Sequence, residues 1–245
     1  MAIYSHSLDF IPPVIAHRGA SAYAPENTMI AFTKAFQLGV KWIEFDVMLA
    51  ACHTPIIFHD ETLDRTTNGR GLLHLYSYHY LQSLDAGSWF HPIYAGERIP
   101  SLETIITFLN QTKMNANVEL KPFPGQEKQL VDAVLKLMTP YLKSNLLFSS
   151  FSFETLVYLR NLAPDVNIGL LLHEWESGWE TMCDSLQCAS VHINEEIITD
   201  QKVKQIKAMG KKVLCYTVND PHRAKQLFSY GVDAVFSDMP LAVIL

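Results

Sequence analysis

Residues 15–32 read IAHRGASAYAPENTMIAF: an apolar, strand-like run ends in His17-Arg18, turns on Gly19, and opens a helix through Pro25-Glu26-Asn27-Thr28. Asn27 or Thr28 suits a helix N-cap, because a short polar side chain can take up a free backbone N–H of the first turn. The unit is therefore strand, turn, helix. Two side chains able to carry positive charge sit at its strand end, which points to an anion as the ligand.

Working outward, the same alternation continues along the chain. The strand runs are VIAH (14–17), KWIEFDV (41–47), PIIFH (55–59), NANVELK (115–121), NLLFSSF (145–151), VNIGLLL (166–172), SVHIN (190–194), KVLCYTV (212–218) and DAVFS (233–237). Helical segments lie between them, among them Asn27–Leu38, Gln126–Leu137, Phe153–Leu162, Thr199–Met209 and Pro221–Tyr230. Gly39, Gly210 and Gly231 each follow a helix, where a C′ glycine is expected. Strand alternating with helix implies a mostly parallel sheet with crossover helices. The pattern predicts an α/β fold, a (β/α)8 TIM barrel with one strand to spare. Residues 61–99 break the rhythm with turns and aromatics, and read as an insertion after the third strand, lying over the carboxyl mouth. No Pro-, Gly- or Ser-rich linker divides the chain, so residues 1–245 read as a single domain.

Hydrophobic residues make up 49% of the 245 and charged residues 18%, which supports a large core and argues against disorder. A net charge of −6 argues against a nucleic-acid surface, yet leaves room for a small anionic substrate at a local cationic site. The N-terminal MAIYSHSLDFIPP has no basic n-region and no long apolar core, and no run reaches the roughly 20 apolar residues of a bilayer span. Cys52, Cys183, Cys188 and Cys215 lack the paired spacing of a zinc site. They read as reduced thiols, and the expectation is a cytoplasmic protein without stable membrane anchoring.

On the strands, Glu44 and Asp46 are two residues apart and project to one face, as do Glu119 and Lys121. His17 ends the first strand and His59 the third. All six are expected at the carboxyl ends of the first four strands, which share one mouth in a parallel barrel. Three carboxylates on neighbouring strands repel one another in a dry barrel unless a cation sits among them. A hard divalent ion with oxygen ligands, Mg²⁺ or Ca²⁺, resolves that conflict. Asp60 is expected to point elsewhere and to cap or orient the loop, and Glu26-Asn27-Thr28 to be a helix start.

The ordered set HRG, APENT, IEFDV, FHDETLDRTTNG, VELK, YTVN and FSDMP resembles the glycerophosphodiester phosphodiesterase family nearly end to end. The resemblance implies a TIM barrel, a divalent metal, and hydrolysis of glycerophosphodiesters to sn-glycerol 3-phosphate and an alcohol. It makes Glu44, Asp46 and Glu119 metal ligands and His17 and His59 the acid/base pair. It makes Arg18 and Lys121 phosphate contacts, and sets Tyr216 where an aromatic ring faces the glycerol.

Two departures stand out. The family usually shows an Asp-Gly turn after the second strand, where this chain has Cys52-His53-Thr54. That turn is expected at the barrel end opposite the mouth, with the chemistry intact. Tyr216 stands where the family often has Trp, and its extra hydroxyl is expected to bias the headgroup or glycerol fit.

The residues suit phosphodiester chemistry in their own right. Arg18 can grip two nonbridging oxygens through its planar fork, and an imidazole titrating near pH 6.5 suits both proton transfers. The first nucleophile, water or the glycerol 2-hydroxyl, stays open. An apolar rim for larger lipids would draw on Leu72, Leu73, Leu75, Tyr76, Trp89 and Phe90, which fit better as the insertion's own small core. No carboxylate cluster or aromatic cage for choline is legible, although Tyr76, Tyr78, Tyr80 and Trp89 could supply one from the insertion.

Overall fold

The apolar runs form one sheet, in which eight strands close into a barrel and the ninth is attached at its edge. The computed structural model describes residues 11–139 and 146–244. The N-terminal stretch 1–10, and Asn145 at the head of one strand run, lie outside the described residues. In chain order the elements begin β1 (Val14–Ala16), α1 (Met29–Gln37), β2 (Trp42–Leu49), β3 (Pro55–Ile57), α2 (Tyr78–Leu81), α3 (Leu102–Thr112) and β4 (Asn115–Leu120). They continue α4 (Glu127–Met138), β5 (Leu146–Ser150), α5 (Phe153–Leu162), β6 (Asn167–Leu172), α6 (Trp179–Ser185) and β7 (Ser190–Asn194). Last come α7 (Asp200–Ala208), β8 (Lys212–Tyr216), α8 (Pro221–Tyr230), β9 (Ala234–Ser237) and α9 (Pro240–Ile244). The parallel strands run in the order β1-β9-β8-β7-β6-β5-β4-β2, and β1 pairs back onto β2 to close a (β/α)8 TIM barrel.

The spare strand is β3. β2 continues for eight residues, and its last three pair antiparallel with β3, Val47 opposite Ile57 and Leu49 opposite Pro55. His59 therefore does not end a parallel barrel strand, as the sequence pattern had suggested. A hairpin carries it back to the mouth. The Cys52-His53-Thr54 turn likewise follows the carboxyl end of β2, on the mouth side rather than the opposite end. It folds outward, sharing a surface groove with Glu103 of α3 and Asp132 of α4, and lines no part of the barrel cavity.

Helix starts follow from capping chemistry. The side chains of Thr28, Ser101, Ser152 and Thr199 accept from the backbone N–H of Ala31, Thr104, Thr155 and Lys202. Each such cap contributes about 1 kcal/mol. Gly19 has φ +83°, and a Cβ there would lie 2.7 Å from the Ala31 carbonyl carbon, so only glycine lets α1 pack onto the turn after β1. Ile15, Trp42, Leu147, Leu214 and Phe236 pack together inside the barrel.

The insertion has its own core. Leu63, Leu73, Leu81, Leu84 and Ile99 pack on Met48, Ile56 and Phe58 of the hairpin. Each fully buried leucine contributes roughly 1.5–3 kcal/mol by removal from water. Of the six residues considered for a lipid rim, Leu73 is buried, whereas Leu72, Leu75 and Trp89 are exposed. The insertion flanks the mouth instead of covering it, for none of residues 61–99 lines the cavity.

Candidate active site

Strand periodicity places the carboxylates. Glu44 and Asp46 project from β2, and Asp46 is in register with Glu119 on β4. Glu44, Asp46 and Glu119 can each present one oxygen, all within 4.8 Å of one another. Phe58 donates its backbone N–H to the Asp46 carbonyl at 3.1 Å, which pins the hairpin's return and brings His59 to the same mouth. His17, Arg18, Glu44, His59 and Glu119 line one cavity of about 280 Å³, together with Tyr216.

The trio is held from outside. Asn27 Nδ2 donates to Asp46 Oδ2 at 2.8 Å, and the Arg18 backbone N–H donates to Glu44 Oε2 at 2.8 Å. Arg18 (φ 53°) and Asn27 (φ 56°) both adopt the left-handed region, which non-glycine residues rarely occupy and which aims them at these partners. Lys121 Nζ lies 3.6 Å from Asp46 Oδ1 and 3.7 Å from Glu119 Oε1, and Arg18 Nε lies 3.5 Å from Asp46 Oδ2. Glu44 Oε1 and Glu119 Oε1 are buried without a hydrogen-bond partner.

The charges are divided unequally. Burial opposes ionisation of Asp46, but Arg18, Lys121 and His59 outweigh it and bring its pKa down to about 2. Burial, then Asp46, raises Glu119 to about 7, and burial with Asp46 and Glu119 holds Glu44 well above the ordinary range. Two orphaned oxygens on carboxyls that resist ionisation fit a site completed by a hard cation. These residues could hold a divalent metal.

Each histidine is backed by a carboxylate. His17 Nδ1 lies 2.7 Å from Asp238 Oδ1, while Asp238 also accepts from Ser21 Oγ and Asn219 Nδ2, both at 2.7 Å. His59 Nδ1 lies 2.6 Å from Asp60 Oδ1. Asp60 thus orients the imidazole, which corrects the expectation that it points elsewhere, while its bonds from Arg65 tie it to the loop as well. An ionised carboxylate only accepts, so both rings carry hydrogen on Nδ1 and leave Nε2 for other work. Burial and then Arg18 push His17 below its ordinary pKa, against the pull of Asp238. His17 Nε2 lies 4.0 Å from Glu44 Oε2.

Away from the trio the cavity is lined by Phe151, Leu171, Tyr216 and Phe236, with His173, His192 and Thr217 among them. The Tyr216 ring meets Phe151 edge-on at 5.9 Å, and its hydroxyl donates to the Leu172 carbonyl at 2.9 Å. That hydroxyl is spent on backbone and presents the ring, rather than itself, to the cavity. The aromatics Tyr76, Tyr78, Tyr80 and Trp89 do not reach the cavity; Tyr76 and Tyr80 stack on one another at 4.8 Å.

All eight residues singled out in the sequence converge on this mouth. Sequence reasoning missed Asn27, Glu26, Asp60 and Asp238 as site residues, and Asn117, Phe151, His173 and His192 as cavity lining. Glu26, whose Oε1 accepts from Arg18 Nη1 at 2.8 Å, and Asn27 lie in the APENT stretch, and Asp238 lies in FSDMP; both stretches were already marked as motifs.

A closed parallel barrel whose carboxyl mouth joins a carboxylate trio, two carboxylate-backed histidines and two cations has the equipment of a phosphate-ester hydrolase. Residues 17–242 match the glycerophosphoryl diester phosphodiesterase family, and the chain belongs to it. It is 34% identical over 239 residues to a glycerophosphodiester phosphodiesterase of Caldanaerobacter subterraneus subsp. tengcongensis, covering 94% of this chain and 96% of that one. It is 30% identical over 244 residues to a Bacillus subtilis glycerophosphodiester phosphodiesterase, covering 92% and 83%. Among solved structures, an Oleispira antarctica phosphodiesterase in complex with the product sn-glycerol-3-phosphate is similar at 42% identity and a TM-score of 0.93, covering 96% of both chains.

Proposed function

We propose that the chain hydrolyses glycerophosphodiesters to sn-glycerol 3-phosphate and an alcohol, with a divalent cation held by Glu44, Asp46 and Glu119. The observation that carries this reading is the pair of carboxylate-backed imidazoles flanking the trio in one cavity. The product complex of the Oleispira antarctica relative supports the substrate class. Residues 1–245 act as one catalytic unit, and the free thiols of Cys52, Cys183, Cys188 and Cys215 suit the cytoplasm. No helix among the described residues is long and apolar enough to cross a membrane.

Each residue has a task. Arg18 is held charged by Asp46, Glu26 and Glu44 against the cost of burial, and it grips nonbridging phosphate oxygens together with Lys121. One imidazole Nε2 takes the proton of the attacking oxygen, from water or the glycerol 2-hydroxyl. The other returns a proton to the leaving alcohol oxygen. Tyr216 and Phe151 present apolar rings to the glycerol carbons. A divalent cation bound by the trio, Mg²⁺ or Ca²⁺, would neutralise charge growing on the phosphoryl oxygens.

One assay tests this. Glycerophosphocholine should be hydrolysed, activity should vanish in excess EDTA, and Mg²⁺ or Ca²⁺ should restore it. Because no insertion residue lines the cavity, choline, ethanolamine and glycerol diesters should have kcat/KM values within about tenfold of each other. Full turnover in EDTA after dialysis would remove the metal, and no turnover of any of the three diesters would remove the reaction.

A further inference from the structure

Arg65 belongs to the insertion and touches nothing in the cavity, yet it is bound to both halves of the site. Its Nε donates to Asp60 Oδ2 at 2.6 Å and its Nη2 to Asp60 Oδ1 at 2.8 Å. Nη1 donates to Glu26 Oε2 at 2.7 Å, and Nη2 also reaches Glu26 Oε1 at 2.8 Å. The same Asp60 Oδ1 holds His59 Nδ1 at 2.6 Å, and the same Glu26 Oε1 accepts from Arg18 Nη1 at 2.8 Å. A continuous chain of charge-assisted bonds therefore runs His59–Asp60–Arg65–Glu26–Arg18.

We infer that Arg65 is a positioning residue that fixes the His59 imidazole and the Arg18 guanidinium relative to one another, so that the insertion acts on the reaction through this one side chain. The chemistry demands arginine. A planar guanidinium offers five donors in a rigid fork and can serve two carboxylates at once, whereas a lysine ammonium is a point charge that cannot hold both in bidentate geometry. Without Arg65, Glu26 and Asp60 lose a shared counter-charge. Glu26 is then free to swing away from Arg18, and Asp60 to release His59. Burial opposes ionisation of both carboxylates, and Arg65 bonds offset it, holding each below its ordinary pKa. An isolated surface ion pair is weak, but a doubly bidentate bridge specifies geometry even where it adds little stability.

This inference rests on the proposed reaction, and the two can fail separately. Arg65→Lys, Asp60→Asn, Glu26→Gln and the two double variants with Arg65→Lys are assayed on glycerophosphocholine, under the metal condition that gives the wild type full turnover. Product inhibition by sn-glycerol 3-phosphate reports the Arg18 arm, and kcat reports the His59 arm. Arg65→Lys should lower kcat by about three- to tenfold, no more than the loss of Asp60 itself, and raise the inhibition constant by about threefold or more. With Asp60→Asn already present, the lysine variant should no longer lower kcat but should still weaken product binding. With Glu26→Gln present the reverse should hold, because Arg65 reaches His59 through Asp60 and Arg18 through Glu26. Additive losses in both backgrounds, or an Arg65→Lys enzyme with wild-type kcat and product binding, would overturn the brace. Thermal melts accompany each variant, and Arg65→Gln provides a second substitution. If both Arg65 variants lose activity only in proportion to unfolded protein, the residue is merely structural and the inference fails. A wild type without turnover would instead count against the reaction itself.

Discussion

His17 follows β1 and leans on Asp238, which is 221 residues away in the chain and adjacent in space only because β1 and β9 close the barrel. His59 leans on Asp60, its own neighbour, in a segment returned to the mouth by a hairpin and braced by the insertion. The first pair is set by the closure of the scaffold. The second is set locally, by a few residues hung on one edge of that scaffold. Similar imidazole–carboxylate units thus have different dependencies. A change in the insertion reaches His59 through Asp60 and Arg18 through Glu26, whereas the carboxylate behind His17 is held by the closure of the barrel.

The largest expected effects test whether the two histidines are chemically equivalent. His17→Ala and His59→Ala should each lower kcat by about 10²–10⁴-fold, the usual contribution of an acid/base group. A variant that kept a third of wild-type turnover would show its histidine to be structural. The backing carboxylates should then separate the two regions. Asp60 is the less exposed carboxylate (23%, against 30% for Asp238), but the His59 ring is 30% exposed and the His17 ring 16%, so a water has easier access to the His59 imidazole once its carboxylate partner is lost. Asp238→Asn should therefore cost about 10–100-fold in kcat and Asp60→Asn about tenfold or less. The opposite order would mean that the hairpin side is the more tightly specified of the two.

The carboxylate trio is built mainly on barrel strands, and its response to pH sharpens the contrast. Burial and then Asp46 raise Glu119 to about 7 in the metal-free protein. A carboxyl with a raised pKa is protonated below that value, and a protonated carboxyl is a poor ligand. Metal affinity should therefore rise as pH increases from 6 to 8, by up to about tenfold per unit while the proton is being displaced. Calorimetry in buffers of different ionisation heat should show at least about one proton released per metal bound at pH 6, from Glu119 and in addition from any protonated Glu44. An affinity independent of pH across that window would mean that Glu119 is already ionised and that Lys121 outweighs the burial.

The same contrast explains what was legible in the sequence. The barrel was readable because parallel strands buried on both faces are near-continuous apolar runs, so each of the nine runs falls within two residues of an observed strand at either end, among the described residues. Glu44, Asp46, Glu119 and Lys121 were readable because strand periodicity alone puts them on one face. The direction of β3 was not readable. A three-residue strand carries no mark of parallel or antiparallel pairing, and the error displaced the Cys52-His53-Thr54 turn to the wrong barrel end. Helices α2, α3, α6 and α9 went unnamed: α2 lies within the irregular insertion and α3 directly behind it, α6 is a seven-residue helix with no side-chain cap, and α9 has five residues. Asp238 and Arg65 lay inside marked stretches, FSDMP and FHDETLDRTTNG, but their roles were beyond reach for a different reason. Their importance lies in long-range contacts, and neither residue type nor spacing announces such a partner. Glu26 and Asn27 were hidden by a stronger local signal, the N-cap at Thr28, which was real and concealed a second use of the same turn.

The smallest expected effect concerns Tyr216, on the barrel-held side of the cavity. Its hydroxyl donates to the Leu172 carbonyl at the end of β6, so it ties β8 to β6 and keeps the ring edge-on to Phe151. Burial raises its pKa, with Glu119 and Cys215 adding to the shift, so the phenol stays protonated at neutral pH and remains a donor. Tyr216→Phe removes that bond and keeps the flat face. Losing one ordinary hydrogen bond should cost about 0.5–1.5 kcal/mol of stability, while a retained ring should hold KM and kcat within about threefold of wild type. Tyr216→Ala, by removing the face, should raise KM further than Tyr216→Phe does. A tenfold fall in kcat for Tyr216→Phe would place the hydroxyl among the reacting groups. The wall opposite the carboxylates would then have to be counted as chemical rather than as a surface for the glycerol carbons.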